Sequence, residues 1–107
     1  MPYAIYGDDI MVGFIMLSYT DADKNDGENA YWVWRLMIDK EYQGKGYGKE
    51  SMMKAIDLIR TLPHGEADAV YLSYEPENVV AKSLYASLGF AETGRIEEGE
   101  LVAKMIL

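Results

Sequence analysis

Residues 42–49 constrain the fold of this chain more than any other segment. They read Tyr-Gln-Gly-Lys-Gly-Tyr-Gly-Lys, so that glycine recurs at every second position. Glycine carries no side chain, and a turn rich in it lets a ligand come close to the backbone. A strand-like run, residues 31–38, precedes the turn, and a helix-like run, residues 52–62, follows it. Because the first N–H groups of a helix are unpaired and its dipole is positive there, this arrangement is typical of a phosphate-binding turn.

Hydrophobic periodicity predicts the element order β-β-β-α-β-α-β-β within a single domain, residues 1–107. The fold class is therefore α/β in the broad sense of a domain with both helices and strands, and α+β in the narrower classification. The first helix ends before Pro63, whereas Asn78 caps a second helix that stops at Gly89. The strands are expected at residues 3–6, 10–19, 31–38, 70–74, 90–95 and 101–107.

Composition excludes several classes of function. A net charge of -8 argues against a nucleic-acid partner, because a phosphate backbone needs a basic surface. With no cysteine and a single histidine, His64, we expect no metal site. No apolar run is long enough to span a membrane and no signal-peptide pattern is present, so we expect no membrane partner and a cytoplasmic location. The acidity either attracts a cationic amine substrate or serves solubility alone.

Two common nucleotide-binding patterns do not fit the glycine turn. A P-loop requires glycine where Gln43 stands and a hydroxyl residue where Glu50 stands. A dinucleotide fingerprint requires a third glycine at the position of Lys49. Nucleoside triphosphates and NAD are therefore poor candidates.

The spacing Gln-x-x-Gly-x-Gly, from Gln43 onwards, resembles the acetyl-CoA-binding motif of the GCN5-related N-acetyltransferase (GNAT) superfamily. A second block, Asn-Val-Val-Ala-Lys-Ser-Leu-Tyr at residues 78–85 followed by Gly89-Phe90, resembles a later helix of that superfamily. Within it, the chain is most similar to the bacterial spermine/spermidine (diamine) N-acetyltransferases. The resemblance implies the GNAT fold, a central mixed and mostly antiparallel sheet with flanking helices.

The resemblance also implies a reaction. Acetyl-CoA would be the cosubstrate, and a primary amine of a small substrate such as a polyamine would attack its thioester directly. Two alternatives remain open. The chain is a CoA-binding module that needs a partner subunit or a missing N-terminal segment to complete the acceptor site, or it is a structural domain in which the motif is a relic.

The resemblance assigns the CoA pyrophosphate to the backbone amides of the glycine turn. The pantetheine arm would pair with the end of the preceding strand, which would splay from the next strand, and a main-chain N–H there would polarise the thioester carbonyl. The implied cofactor-binding residues are Leu36, Met37, Ile38, Gln43, Gly44, Lys45, Gly46, Tyr47, Gly48, Lys49 and Asn78.

Tyr85 is the implied catalytic acid, which would protonate the departing thiolate; its alternative role is packing on the apolar flank of the helix. The resemblance implies that the general base would be a Glu on the strand before the glycine turn. Residues 31–35 of that strand contain no carboxylate, so the base stays unassigned. Glu28, Glu75 and Glu77 are alternatives for it, each more typical of a solvated loop.

Trp32 and Trp34 would either line a cation–π cleft for a polyamine or belong to the core. GNAT domains usually begin with a further strand and two helices, so the chain is expected to be N-terminally truncated. One sheet face would then be an exposed apolar patch, from which we expect a homodimer.

Overall fold

The structure is a computed structural model that describes residues 2–7, 10–20, 29–43, 46–61, 65 and 67–107. Its strands are β1 (Pro2–Gly7), β2 (Ile10–Thr20), β3 (Ala30–Ile38), β4 (Ala69–Tyr74), β5 (Ala91–Glu97) and β6 (Glu100–Ile106). Its helices are α1 (Tyr47–Arg60) and α2 (Val79–Ser87), and a short 3-10 turn covers Lys40–Tyr42. This order confirms the predicted β-β-β-α-β-α-β-β. Neither helix of the described ranges is long and apolar enough to cross a bilayer.

The first helix begins five residues before the apolar run that predicts it. The run starts at Met52, whereas α1 begins at Tyr47, directly after Gly46 in the left-handed conformation at φ 84°. The first turn of α1 contributes no residue to the core; its buried side chains begin at Ser51 and Met52. Apolar periodicity arises from burial, so a helical turn outside the core leaves no periodic signal.

The six described strands form one sheet in the order β1-β2-β3-β4-β6-β5. Every neighbouring pair is antiparallel except β3 and β4, which are parallel. The predicted mixed, mostly antiparallel sheet is thus confirmed.

Strands β3 and β4 pair over only part of their length. The parallel ladder joins residues 30–33 to residues 69–72, whereas β3 continues along β2 as far as Ile38. Where the ladder stops, the β2–β3 register shifts, because Met16 faces Arg35 while Leu17 faces Val33. Trp34 is therefore the extra residue of a β-bulge. A bulge bends its strand and increases the local twist, which explains why β3 leaves β4 at this point.

The main core lies between the sheet and the helices. Strand residues such as Leu17, Tyr31 and Leu72 are buried against Met52 and Ile59 of α1. Apolar residues of β1 and of α2 pack partly buried around the same cluster. Both helices thus cover one face of the sheet.

The opposite face holds a second, smaller buried cluster. Two of its rings, Trp32 and Tyr71, stack with their centroids 4.9 Å apart, and the exposed ring of Trp34 stacks on Trp32 at 5.1 Å. The cations of Lys104 and Arg95 lie 5.5 Å and 6.0 Å from the centre of the Tyr71 ring. Trp32 and Tyr71 are consequently only 5% and 6% exposed, so the expected bare apolar face is not found at its centre.

Candidate active site

The gap between β3 and β4 opens into a cleft of about 1000 Å³. Four elements supply its walls: the end of β3, the end of β4, the start and middle of α2, and the β5–β6 hairpin. The lining residues are Val33, Trp34, Leu36, Met37, Leu72, Ser73, Tyr74, Glu75, Asn78, Ala81, Tyr85, Glu97, Glu98 and Glu100.

The beginning of α1 fits a phosphate group. Gly46 is its N-cap and offers no side-chain cap to the first-turn N–H groups of Tyr47, Gly48 and Lys49. A Cβ added to Gly46 would meet nothing within 4 Å, so the space beside this backbone is open. Unpaired N–H groups, a positive dipole end and open space together suit an anion.

Two of the expected turn residues, Gly44 and Lys45, lie outside the described residues. Gln43, which precedes them, donates a hydrogen bond from its side-chain amide to the carbonyl oxygen of Ile38, at 3.0 Å. The backbone N–H of Asp39 donates to the carbonyl oxygen of Val12, at 2.6 Å. The side chain of Gln43 therefore connects the turn to the main chain at the end of β3.

The end of β3 has one free edge in the described part of the chain. Its residues 35–38, which follow the bulge at Trp34, pair with β2 but not with β4. Leu36 and Met37 line the cleft, while Ile38 lies at its end and accepts the hydrogen bond from Gln43. Main-chain groups on such an edge are able to pair with an extended ligand, as an added strand would.

Asn78 both caps α2 and borders the cleft. Its side-chain oxygen accepts a hydrogen bond from the backbone N–H of Ala81, at 3.1 Å, which confirms the predicted N-cap. The cap occupies the oxygen and leaves the side-chain NH₂ available for a ligand.

Tyr85 packs against the core and also lines the cleft. Its ring packs against Tyr74 (centroids 5.7 Å apart) and Phe90 (6.0 Å). Burial raises the pKa of the Tyr85 phenol above its usual 10.0, so the hydroxyl keeps its proton at neutral pH. A phenol that stays protonated beside a cleft is a suitable proton donor.

The carboxylates considered as a base have different positions. Glu75 borders the cleft but is exposed, Glu77 is exposed and does not line the cleft, and Glu28 lies outside the described residues. The structure adds Glu100 of β6, whose carboxylate accepts a hydrogen bond from the Ser73 hydroxyl of β4, at 2.8 Å. These two residues are 27 positions apart, so no local sequence signal links them.

The two tryptophans differ in position, one in the core and one at the cleft. Trp32 belongs to the buried cluster, whereas Trp34 is 53% exposed and lines the cleft. The Trp34 indole N–H donates to the Ser18 hydroxyl, which holds the ring in place. Among the described residues, no group of three or more His, Asp or Glu is placed to hold a metal ion.

The model of the acetyltransferase (GNAT) family matches residues 1–90. The chain belongs to the GNAT family. It is 33% identical over 103 residues to a probable spermine N(1)-acetyltransferase of Bacillus subtilis subsp. natto (strain BEST195). It is 32% identical, again over 103 residues, to the spermine/spermidine N(1)-acetyltransferase of Bacillus subtilis (strain 168). Each alignment covers 94% of this chain but 66% of the relative.

Solved structures agree with the fold. An acetyltransferase of Bacillus subtilis, determined in complex with CoA, superposes with a TM-score of 0.80 at 18% identity. The match covers 99% of this chain and 76% of that protein. At this identity the likeness concerns the fold, which is the GNAT fold.

Proposed function

We propose that this chain is an N-acetyltransferase that moves the acetyl group of acetyl-CoA to a primary amine of a small substrate, with a polyamine as its substrate class. The observation that carries the proposal is the shared cleft, which joins the free edge of β3 to Tyr85 on α2. Family membership and the polyamine acetyltransferases among its relatives support the same reaction.

The residues present fit acetyl-CoA, which supplies the acetyl thioester when it is bound. The amides of the turn from Gln43 to the first turn of α1 would hold the pyrophosphate, and the open space beside Gly46 accommodates it. The free edge at Leu36, Met37 and Ile38 would pair with the pantetheine arm, and a main-chain N–H of this edge would donate to the thioester carbonyl oxygen. The side-chain NH₂ of Asn78, at the border of the same cleft, would contribute a further contact.

Tyr85 would donate its proton to the departing thiol sulfur. Its raised pKa keeps it in the donating form, and its position in the cleft wall puts it on the same side of the sheet as α1. Direct attack by the amine needs no acyl-enzyme, which agrees with a sequence that lacks cysteine.

Several features support a cationic acceptor. Four carboxylates line the cleft, at Glu75, Glu97, Glu98 and Glu100, and the exposed face of Trp34 borders the same space. Carboxylates attract ammonium groups, and an indole face adds cation–π attraction. A doubly or triply charged polyamine can pair its ammonium groups with more of these carboxylates than a monoamine can.

The deciding experiment measures free-thiol release from acetyl-CoA with a panel of amines that includes spermidine. Tyr85→Phe is expected to lower turnover by about 10²–10⁴-fold, the usual contribution of a general acid. Tyr74→Phe is the matched comparison, because the Tyr74 hydroxyl is bonded to Glu92 at 3.0 Å; this change should affect stability more than turnover. Equal effects of the two changes would argue against Tyr85 as the acid.

A second variant tests the position of the cofactor. Gly46→Asp adds bulk and negative charge where we expect the pyrophosphate, so CoA binding measured by calorimetry should be lost. Unaltered binding would refute this placement. CoA binding by the unmodified chain without amine-dependent thiol release would instead favour the alternative, a CoA-binding module whose acceptor site is completed by a partner subunit or a further segment.

A further inference from the structure

The cleft has two walls that belong to opposite faces of the sheet. Successive residues of a strand alternate between faces. Leu72 and Tyr74 belong to the core cluster on the helix side, so Ser73 between them faces the other way. Tyr85 packs with the helix-side cluster. The cleft therefore has Tyr85 on one side and Ser73 on the other.

Glu100 lies on the same side as Ser73. Strand β6 places Val102 opposite Ser73, and Val102 belongs to the cluster on the face away from the helices. Glu100, two residues earlier in the same strand, points to that face as well. The hydrogen bond from Ser73 confirms the orientation of the Glu100 carboxylate.

Glu100 differs from the other carboxylates of the cleft. Within the described residues, Glu75, Glu97 and Glu98 are exposed, whereas Glu100 is half-buried and one of its oxygens is fixed by Ser73. A base works best when it is held within hydrogen-bond reach of the proton that it removes. Ser73 donates to Oε1, and this hydrogen bond leaves Oε2 for another donor.

We propose that Glu100, positioned by Ser73, is the general base that takes a proton from the acceptor ammonium on the face of the sheet opposite Tyr85. The inference rests on the proposed acetyl transfer. Base and acid then lie on either side of the gap that admits the thioester, so the amine approaches from one face and the thiol leaves towards the other.

The protons balance in the following way. Glu100 removes one proton from R–NH₃⁺, which frees the nitrogen lone pair for attack. The C–N bond forms, the C–S bond breaks, and the nitrogen loses a second proton to reach the amide R–NH–CO–CH₃. Tyr85 gives its proton to the thiolate, and the second proton, which the nitrogen loses, restores the Tyr85 hydroxyl. The proton on Glu100 passes to water, so each turnover releases one proton.

Other charged groups face Glu100 from the elements around it. Glu97 of β5 is its direct cross-strand partner and forms an ion pair with Arg95. Glu98 lies in the hairpin turn, Glu75 follows β4, and Lys104 lies further along β6 over the Tyr71 ring. The carboxylates nearest to Glu100 favour the entry of an ammonium group, whereas Arg95 and Lys104 are engaged with Glu97 and the Tyr71 ring.

Glu100→Gln tests the proposal, because glutamine keeps the shape and the acceptor for Ser73 but cannot take a proton. With an alkylamine near pH 7 we expect kcat to fall by about 100-fold or more. The residual rate should rise roughly tenfold per pH unit, because the free-amine fraction does so below the amine pKa. An amine that is already neutral at pH 7 should be acetylated at nearly the unmodified rate. Asp57→Asn, which removes one exposed charge on α1, is the charge-matched control and should change nothing.

Two further measurements separate a base from a binding or structural role. Spermidine affinity by calorimetry should change much less than kcat; lost affinity with unaltered kcat would show an ion-pair role and overturn the proposal. Ser73→Ala should lower kcat with the same pH dependence but less severely, and Glu100→Asp should recover part of the rate. CoA affinity and melting temperature of each variant exclude misfolding.

The possible failures are distinguishable. If the unmodified chain releases no thiol with any amine, the proposed acetyl transfer fails. If it turns over and Glu100→Gln keeps the same rate and pH profile, the transfer stands and Glu100 is not the base.

Discussion

Replacement of Gly13 by alanine is expected to weaken CoA binding through the end of β3. An added Cβ would lie 2.0 Å from the carbonyl oxygen of Met37 and 2.9 Å from the Cα of Ile38. Ordinary van der Waals contact begins at 3.4 Å, so the Met37 carbonyl would have to move by about 1.4 Å. Gly13 and Ile38 are directly paired across the β2–β3 ladder, so relief requires movement of the backbone.

The same displacement affects stability and binding. Overpacking of this kind costs about 1–3 kcal/mol of folding free energy. Leu36 and Met37 line the cleft, so main-chain groups that we expect to bind pantetheine lose their alignment. Loss of two hydrogen bonds at about 0.5–1.5 kcal/mol each corresponds to a roughly fivefold to hundredfold weaker Kd for CoA.

Gly94→Ala is the matched control. Gly94 has φ 87° and open space around it, so alanine there costs about 1–2 kcal/mol of backbone strain without a clash. Urea unfolding should show that both variants are destabilised, and calorimetry below their melting temperatures should show weaker CoA binding for Gly13→Ala alone. Unaltered CoA affinity in Gly13→Ala, or an equal loss in both variants, would refute the reasoning.

Three further predictions concern α2 and the assembly. Asn78→Ala should destabilise the chain by about 1 kcal/mol in thermal unfolding, because the helix cap is lost, and should weaken CoA binding. Asn78→Ser should restore the cap but not the CoA affinity. Recovery of both stability and affinity in Asn78→Ser would leave Asn78 with a structural role only. Because burial raises the pKa of Tyr85 above 10.0, kcat should keep the contribution of its proton up to about pH 10 and lose it only above; a descending limb near pH 8 that disappears in Tyr85→Phe would contradict this. The homodimer expected from an uncovered sheet face stays a prediction, and sedimentation showing only monomer at high concentration would count against it.

Much of the local structure could be predicted because it depends on neighbouring residues. Apolar runs rich in aromatic and β-branched residues predicted strands such as β3 and β4. Asn78 predicted the start of α2, where its side-chain oxygen accepts a hydrogen bond from the backbone N–H of Ala81. The start of α1 could not be predicted in this way, because its first turn contributes nothing to the core.

Signals between near neighbours in the chain establish the order of the elements, the glycine turn before α1 and the motif spacing typical of a CoA-binding GNAT domain. Which side chains line the cleft depends on the folded sheet. The bulge at Trp34 separates β3 from β4, and the β4–β6 register brings Glu100 to Ser73 from 27 positions away. This difference follows from the range of the interactions, because helix and turn signals act over a few residues, whereas strand register is set by the packing of the whole sheet.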